Sequence, residues 1–296
     1  MPKIHTNGTR IHYLQIGKGP DVVLLHGLGG NLAIWFLRLV DELRGRFRIT
    51  ALDLRGHGKS DCPPAGYTTR DMAEDLAGVL EGLSIGTAHL LGHSFGADVA
   101  LHFSILHPER TDRMVLIEPG VAALLDYRKS DKWVGWDYWV GKLAEFGIEV
   151  PPEKRTDAGF LLRQTVHIPI QFGPARGRPR NIAPLLKLLD TTTILTDYEK
   201  VAGMTLDKIA GVRRPVLLVY GESSHFLVSY EQLKGILPVF RSYLIPGGSH
   251  YGPLEQPEMH VEPLVSFLLS EDAWGLLPAT SPAPEAEPAS KEAYGG

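Results

Sequence analysis

The chain has 296 residues, a formal net charge of -4 and a sequence pI near 6.3, which argues against a dedicated nucleic-acid binder with a basic surface. Hydrophobic residues make up 44% and charged residues 22%, so global disorder is excluded. A single cysteine, Cys62, excludes an internal disulfide framework and a cysteine-based zinc site.

The first 120 residues alternate between strand and helix signals. The dipeptide Asn7-Gly8 joins two short strands within residues 4–16 and is typical of a tight hairpin. Further strands are predicted at Val22–Leu25, Phe47–Leu54, Ala88–Leu91 and Met114–Ile117. Helices are predicted at Leu32–Leu43, Asp71–Leu83 and Asp98–Leu106. This alternation predicts a parallel sheet covered by helices, with its chemistry beyond the carboxyl ends of the strands.

Residues 121–211 interrupt this alternation, because they contain helical patterns and no clear buried strand. The alternation then resumes, with elements predicted at Pro215–Tyr220, Tyr230–Leu237, Ser242–Ile245 and Glu258–Leu269. We therefore expect one α/β core built from residues 1–120 and 212–277, with residues 121–211 inserted between two of its strands. Residues 278–296 are rich in proline, alanine and glutamate, a composition that predicts a disordered tail.

Ser94 is the candidate nucleophile. It lies in the motif Gly-His-Ser-Phe-Gly at residues 92–96, between a predicted strand and a predicted helix. A serine in Gly-x-Ser-x-Gly needs a sharp, strained turn, and the two glycines let neighbouring backbone approach closely. The motif alone is weak evidence for a nucleophile, and an ordinary Gly-Ser turn is the alternative. The predicted strand before it and the predicted helix after it provide the context that a nucleophile requires.

Acyl transfer also needs two donors for the developing oxyanion and a base for the serine. The backbone N–H groups of Phe95 and Leu28 are the candidate donors, since Leu28 lies in a glycine-rich turn directly after a strand. His26, in the same turn, is interpreted as structural. Among twelve histidines, His250 is the candidate base, because it follows the last predicted strand in a glycine-rich loop.

These motifs, in this order, resemble the α/β-hydrolase superfamily over roughly residues 4–120 and 212–270. The resemblance includes His26-Gly27, the run Asp-Leu-Arg-Gly-His-Gly-Lys-Ser at 53–60, the Ser94 turn, His250 and Leu-Glu-Gln-Pro-Glu at 254–258. It implies an α/β-hydrolase fold, a mostly parallel twisted sheet flanked by helices, in which residues 121–211 form a helical lid. It implies a small-molecule substrate and no metal or organic cofactor.

The acid that orients the histidine departs from the family pattern. The family usually carries an aspartate where this chain has Ser224, and a neutral serine does not stabilise an imidazolium by charge. Three hypotheses remain: Glu118 at the end of the strand after the Ser94 helix, Glu222 from the usual loop, or no acid at all. A surface glutamate ending a strand is the plain alternative for Glu118.

The nucleophile narrows the expected reaction. Epoxide hydrolases and haloalkane dehalogenases of this superfamily use an aspartate at the turn, so Ser94 favours a serine hydrolase acting on a small or medium, apolar carboxylic ester. Carbon–carbon bond hydrolysis of the ring-cleavage-product type is the second hypothesis. A non-catalytic ligand-binding protein on a hydrolase core is the third, motivated by Ser224.

The remaining features predict less about function. Trp133, Trp136 and Trp139 are interpreted mainly as packing within the lid, and the arginines of residues 173–180 as a solvated loop rather than a carboxylate clamp. The start Met-Pro-Lys-Ile-His lacks the apolar region of a signal peptide, and no apolar run is long enough to span a bilayer. We expect a cytoplasmic protein without a membrane span, whose oligomeric state stays open.

Overall fold

The computed structural model describes residues 1–171 and 174–270, except for the side chains of residues 253 and 254. Within these residues, eight strands form one sheet in the order β1-β2-β4-β3-β5-β6-β7-β8. Strand β2 pairs antiparallel with β1 and β4, and the other neighbours are parallel. The predicted mostly parallel sheet is confirmed. The strands are β1 (Lys3–Thr6), β2 (Thr9–Ile16), β3 (Asp21–Leu25), β4 (Arg48–Leu52), β5 (Ala88–His93), β6 (Thr111–Ile117), β7 (Val216–Gly221) and β8 (Phe240–Ile245).

Helices cover the sheet and fill the segment between β6 and β7. The α-helices are α1 (Leu39–Leu43), α2 (Thr69–Gly82), α3 (Phe95–Leu106), α4 (Val134–Ala144), α5 (Ala158–Thr165), α6 (Ala183–Thr191), α7 (Ile194–Asp197), α8 (Leu206–Ala210), α9 (Leu227–Ile236), α10 (Gly252–Glu255) and α11 (Pro257–Leu269). Short 3-10 helices lie at Leu32–Leu37, Pro108–Arg110, Ala122–Lys129 and Pro152–Lys154.

The central strands are buried on both faces. Along β3, Val23 and Leu25 pack into one hydrophobic cluster, whereas Val22 and Leu24 pack into another. Successive side chains of a strand point to opposite faces, so these two clusters are the two sides of the sheet. Burial on both faces explains why the parallel strands are continuous apolar runs rather than alternating ones.

The first hairpin agrees with its sequence prediction. Asn7 and Gly8 have φ of 43° and 72°, the left-handed values that a tight two-residue turn needs, and β1 and β2 flank them. Helix α2 begins slightly earlier than predicted, at Thr69. Its start is a capping box, in which the Thr68 side chain accepts from the Asp71 N–H and the Asp71 carboxylate accepts from the Thr68 N–H.

The single helix predicted over Leu32–Leu43 is wrong. The chain forms a 3-10 helix over Leu32–Leu37 and the short helix α1, and the two are separated at Arg38, whose φ is -156°. A 3-10 helix has three residues per turn, which aligns Leu32 and Trp35 on one face. Both side chains are buried there, so burial of the indole favours the tighter helix.

Residues 121–211 connect β6 to β7, which are neighbours in the sheet. The described residues of this segment form helices and irregular loops and no strand. Trp133 and Trp136 are buried in a separate cluster with Leu143, Leu161 and Ile168, which agrees with the packing interpretation of these tryptophans. The division into core and lid stays a prediction, and residues 278–296 lie outside the described residues.

Candidate active site

Ser94 lies at the turn between β5 and α3. Its φ of 53° and ψ of -124° fall in a region that residues other than glycine rarely adopt. The Ser94 N–H donates to the carbonyl oxygen of Ile117, at the end of neighbouring β6, over 2.8 Å. Ser94 is partly exposed, whereas the residues on either side of it are buried. The turn therefore leaves this serine accessible at the carboxyl edge of the sheet.

The two motif glycines have a steric reason. A Cβ on Gly96 would lie 2.2 Å from the carbonyl oxygen of Leu25, and one on Gly92 would lie 2.3 Å from that of Gly96. Both neighbours are backbone atoms, which move only if the turn itself moves. Helix α3 starts at Phe95, directly after Ser94 and three residues earlier than predicted from the sequence. The turn at Ser94 leads straight into the first turn of the helix.

The candidate oxyanion donors come from two neighbouring turns. Phe95 is the first residue of α3, and the first N–H groups of a helix have no partner within it. Leu28 follows Gly27, on which a Cβ would lie 3.1 Å from the Cβ of Ser94. The turn that contains Leu28 therefore lies against the serine, as two converging donors require.

His26 holds that turn in place. Its Nδ1 lies 2.8 Å from the carbonyl oxygen of Gly27, and its Nε2 accepts from the Leu54 N–H over 3.0 Å. Burial lowers the pKa of His26 to about 4, so the ring is neutral at pH 7. Its contacts agree with the structural interpretation of this histidine.

Glu118 and His250 lie together. The Oε2 atom of Glu118 is 3.3 Å from Nδ1 of His250, although the two residues are 132 positions apart. Glu118 is almost fully buried, and its Oε1 accepts from the Gly221 N–H over 2.6 Å. The Ser224 hydroxyl donates to Oε2. Ser224 therefore occupies the usual aspartate position as a hydrogen-bond donor to the glutamate, a role that sequence analysis did not foresee.

Glu222 does not face the histidine. Its side chain is exposed, and its Oε2 accepts from the Gly247 N–H over 2.9 Å, at the turn after β8. Among the three hypotheses for the acid, the geometry therefore favours Glu118.

Burial shifts the pKa of both Glu118 and His250. It raises the pKa of the Glu118 carboxyl to about 7, and the bonds from Ser224 and Gly221 oppose this rise by stabilising the ionised form. Burial lowers the pKa of His250 to about 3, and the positive charge of Arg128 acts in the same direction. His250 is therefore neutral at pH 7, the form that accepts a proton. An ionised Glu118 accepts from Nδ1–H and leaves Nε2 without a proton.

Two buried side chains support this pair and were missed from the sequence. Nε2 of His93 lies 2.9 Å from the carbonyl oxygen of His250 and so anchors its loop. Asp98 accepts from the Val121 N–H over 3.1 Å and so supports the turn after Glu118. His93 lies inside the Gly-x-Ser-x-Gly motif, directly before the candidate nucleophile, and this position was the one local signal for it.

An aromatic wall adjoins His250. We use this name for His225, Phe226, Tyr138 and Trp133. The rings of His225 and Phe226 have centroids 5.1 and 4.9 Å from that of His250, and Tyr138 and Trp133 pack on His225 at 4.9 and 5.6 Å. Two of the four belong to residues 121–211, so that segment reaches the candidate site.

The arginines of residues 173–180 divide into two kinds. Arg176 and Arg178 are exposed, as the solvated-loop interpretation predicts, whereas Arg180 is only partly exposed. Burial lowers the pKa of Arg180, and the nearby Tyr251 opposes that change. The interpretation of the whole loop as solvated is therefore wrong for Arg180, because this side chain is partly buried and lies within electrostatic reach of Tyr251.

Over residues 1–171 and 174–270, no group of three or more His, Cys, Asp or Glu side chains is arranged to hold a metal ion. No helix in the same residues is long and apolar enough to cross a membrane.

The family model described as the α/β-hydrolase fold matches residues 20–257. This match covers well over half of the chain, and the sheet order and strand directions agree with it. The protein therefore belongs to the α/β-hydrolase fold family, a family of hydrolases.

Individual relatives carry several hydrolase names. A 2-(acetamidomethylene)succinate hydrolase of Mesorhizobium japonicum is 28% identical over 85% of this chain and 89% of its own. Carboxylesterase YbfK of Bacillus subtilis is 26% identical over 90% of this chain and 86% of its own. Its crystal structure, 23% identical by structural alignment, covers 90% of both chains with a TM-score of 0.62. Epoxide hydrolase 3 of Mus musculus is 26% identical over 88% of this chain and 74% of its own.

Proposed function

We propose that the protein is a serine hydrolase that cleaves a small-to-medium carboxylic ester through an acyl-enzyme. The observation that carries this proposal is the contact between the buried Glu118 carboxylate and Nδ1 of His250, together with a strained Ser94 at the carboxyl edge of the same sheet. A serine nucleophile needs a base, and the base needs an orienting acid. A small-molecule substrate and a cytoplasmic location belong to the same proposal.

The proposed reaction has two halves. Ser94 Oγ attacks the ester carbonyl carbon while its proton passes to Nε2 of His250, and the N–H groups of Leu28 and Phe95 bind the oxyanion. The tetrahedral intermediate breaks its bond to the alcohol oxygen, which takes the proton from His250 as the alcohol leaves. Water then attacks the acyl-enzyme with His250 as base, which releases the acid and restores the Ser94 hydroxyl.

One relative is named a carboxylesterase, which supports ester hydrolysis. Another is named an epoxide hydrolase, so the names of the relatives do not select one reaction. The epoxide hydrolases of this superfamily use an aspartate at the position of Ser94, so the nucleophile favours the esterase. Carbon–carbon bond hydrolysis also fits a serine nucleophile, and we keep it as the second candidate.

Ser224 provides a pH test of the proposed acid. Glu118 must be ionised to stabilise the imidazolium, so we expect kcat/KM to fall as the pH decreases through about 7, the raised pKa of Glu118. Ser224→Ala removes a donor that stabilises the carboxylate, which raises that pKa further. A lost hydrogen bond to a charged group corresponds to about 1 to 2 pH units. We expect the acidic limb of the kcat/KM profile to move upward by that amount.

The same profile separates this effect from a general loss of activity. Ser224→Ala is expected to lose much activity at pH 6 and little at pH 9, where Glu118 is ionised in both proteins. Ser223→Ala, at an exposed neighbour, is the matched control and should leave the limb unchanged. A uniform loss at all pH values, or a shift of the limb to lower pH, would contradict the assignment of Glu118.

Covalent labelling tests the proposed function as a whole. A fluorophosphonate probe should label the folded protein at Ser94, and mass spectrometry of the peptides locates the adduct. A panel of aryl esters beside a vinylogous diketone substrate then separates ester from carbon–carbon bond hydrolysis. Absence of labelling and turnover in a folded protein that still binds small molecules would favour a ligand-binding protein instead.

A further inference from the structure

Arg128 is a partly exposed cation that is flanked by three aromatic rings. It lies in the 3-10 helix Ala122–Lys129, and its guanidinium carbon is 5.0 Å from the ring centroid of Trp133, 6.0 Å from that of Trp136 and 5.8 Å from that of Tyr198. Its Nη2 donates to the Tyr198 hydroxyl over 3.1 Å. The faces of these rings attract the cation and hold it in one place.

This cation forms no ion pair in the described part of the chain, although the buried Asp98 carboxylate lies within its electrostatic reach. No carboxylate oxygen among residues 1–171 and 174–270 forms an ion pair with its guanidinium, in contrast to the buried pair of Arg55 and Asp75. Its Nε is buried and has no hydrogen-bond partner within those residues. A shielded donor without a partner costs free energy, and a carboxylate that accepts from this guanidinium would offset that cost.

Arg128 is close to the proposed catalytic pair. It stacks on Trp133, a member of the aromatic wall, and the rings of that wall lead through His225 to His250. Burial lowers the pKa of both His225 and His250, and the charge of Arg128 acts in the same direction, so Arg128 lies within electrostatic reach of the proposed base. Nδ1 of His225 is also buried without a hydrogen-bond partner among the described residues, which adds a second polar group beside the arginine.

We propose that Arg128 binds a carboxylate of the substrate, and that the natural substrate is therefore an anionic ester, such as a half-ester of a short dicarboxylic acid. This inference rests on the proposed function of Ser94 and adds the class of its substrate. It replaces the apolar ester expected from the sequence, because an apolar substrate would leave the Arg128 guanidinium without an anionic ligand.

The charge of Arg128 also acts on the proposed base during the reaction. An imidazolium forms on His250 during the reaction, and the charge of Arg128 disfavours it. A substrate carboxylate on Arg128 cancels that charge, so an anionic ester is helped in the transition state as well as in binding. A neutral ester of the same shape leaves the repulsion in place.

Matched ester pairs test this inference. Mono-4-nitrophenyl esters of succinic, glutaric and adipic acid are compared with the same esters whose free carboxyl is capped as a methyl ester. For at least one chain length, we expect wild-type kcat/KM to favour the anionic ester by about tenfold or more. Arg128→Gln should lower kcat/KM for that ester by roughly 10- to 100-fold, as for a lost charge-assisted bond, and change the capped ester by less than about threefold.

Control variants separate binding from folding. Arg176→Gln, at an exposed arginine, removes the same charge and should leave both substrates unchanged. Arg128→Lys keeps a cation but loses the planar fork, so it should retain part of the preference. Circular dichroism establishes that each variant folds. Equal activity of the wild type on the two esters of every pair, or an equal loss on both in Arg128→Gln, would overturn the proposal.

A binding measurement keeps this inference separate from the ester hydrolase proposal. Glutarate contains no ester, and calorimetry at low ionic strength should detect its binding to the wild-type chain and a loss of about tenfold or more in Arg128→Gln. Glutarate binding without turnover of any ester would leave the anion site standing and reject the proposed reaction. Turnover of capped esters without glutarate binding or a preference for the anionic ester would reject the anion site and leave the proposed ester hydrolysis standing.

Discussion

Replacing Ser94 with alanine is expected to lower kcat for an activated ester by about 10⁴- to 10⁶-fold, because no other group is proposed to form the acyl-enzyme. The turn needs a positive φ and not a hydroxyl, so the variant should fold normally. Rates measured at saturating ester, with the uncatalysed hydrolysis subtracted, check the size of the loss. The oxyanion donors remain in this variant, so a small residual rate above water is expected.

Ser94→Gly is the matched control for the backbone. It also lacks the hydroxyl, but glycine tolerates the φ of 53° without strain, so it should unfold at a higher denaturant concentration than Ser94→Ala. Both variants should lose activity and fluorophosphonate labelling to the same extent. Appreciable turnover in either one, at more than about a hundredth of the wild-type rate, would reject Ser94 as the nucleophile.

Replacing Glu118 with glutamine is expected to lower kcat by about 10³- to 10⁴-fold. The amide has nearly the shape of the carboxylate, but it has no charge to stabilise the imidazolium and can present its N–H₂ group to Nδ1 of His250. The measurement is kcat for an activated ester at pH 9, where wild-type Glu118 is ionised. Glu222→Gln changes an exposed carboxylate in the neighbouring loop and should have little effect.

A second substitution offers a rescue. The Ser224 hydroxyl donates to the same Glu118 oxygen that faces His250, so residue 224 is next to the site of the missing charge. Adding Ser224→Asp to Glu118→Gln places a carboxylate at the position that the family usually uses, and we expect it to recover about 10- to 100-fold in kcat. Activity that survives Glu118→Gln and is lost in Glu222→Gln would show that the acid was assigned wrongly.

Turns and strands that depend on residues adjacent in the sequence were predicted well. The Asn7-Gly8 hairpin and the parallel strands were recognised from short runs, because turn chemistry and strand burial leave a local pattern. The Ser94 turn belongs to this group, since its glycines, preceding strand and following helix are contiguous. The 3-10 helix over Leu32–Leu37 was not predicted, because burial of Trp35 against the sheet decided its pitch.

Residues that act through distant contacts could not be assigned from the chain. Three hypotheses for the acid were open from the sequence. The geometry favours Glu118, because the neighbouring strands β6, β7 and β8 bring it to His250 from 132 positions away. His93 reaches the His250 loop across 157 positions, and nothing near either residue indicates the pair. Arg128 was not predicted as a site residue, because the residues next to it in the sequence form no recognisable motif.

The sequence was therefore sufficient for the family, the nucleophile candidate and the base candidate, each of which is a local motif at the end of a strand. The structure was needed for the partner of His250, for the donor role of Ser224 and for the position of Arg128 between aromatic rings near the site. The physical reason is that strand order and helix packing set which distant side chains meet. Burial at those meeting points then sets the charge states of Glu118 and His250, which no local pattern contains.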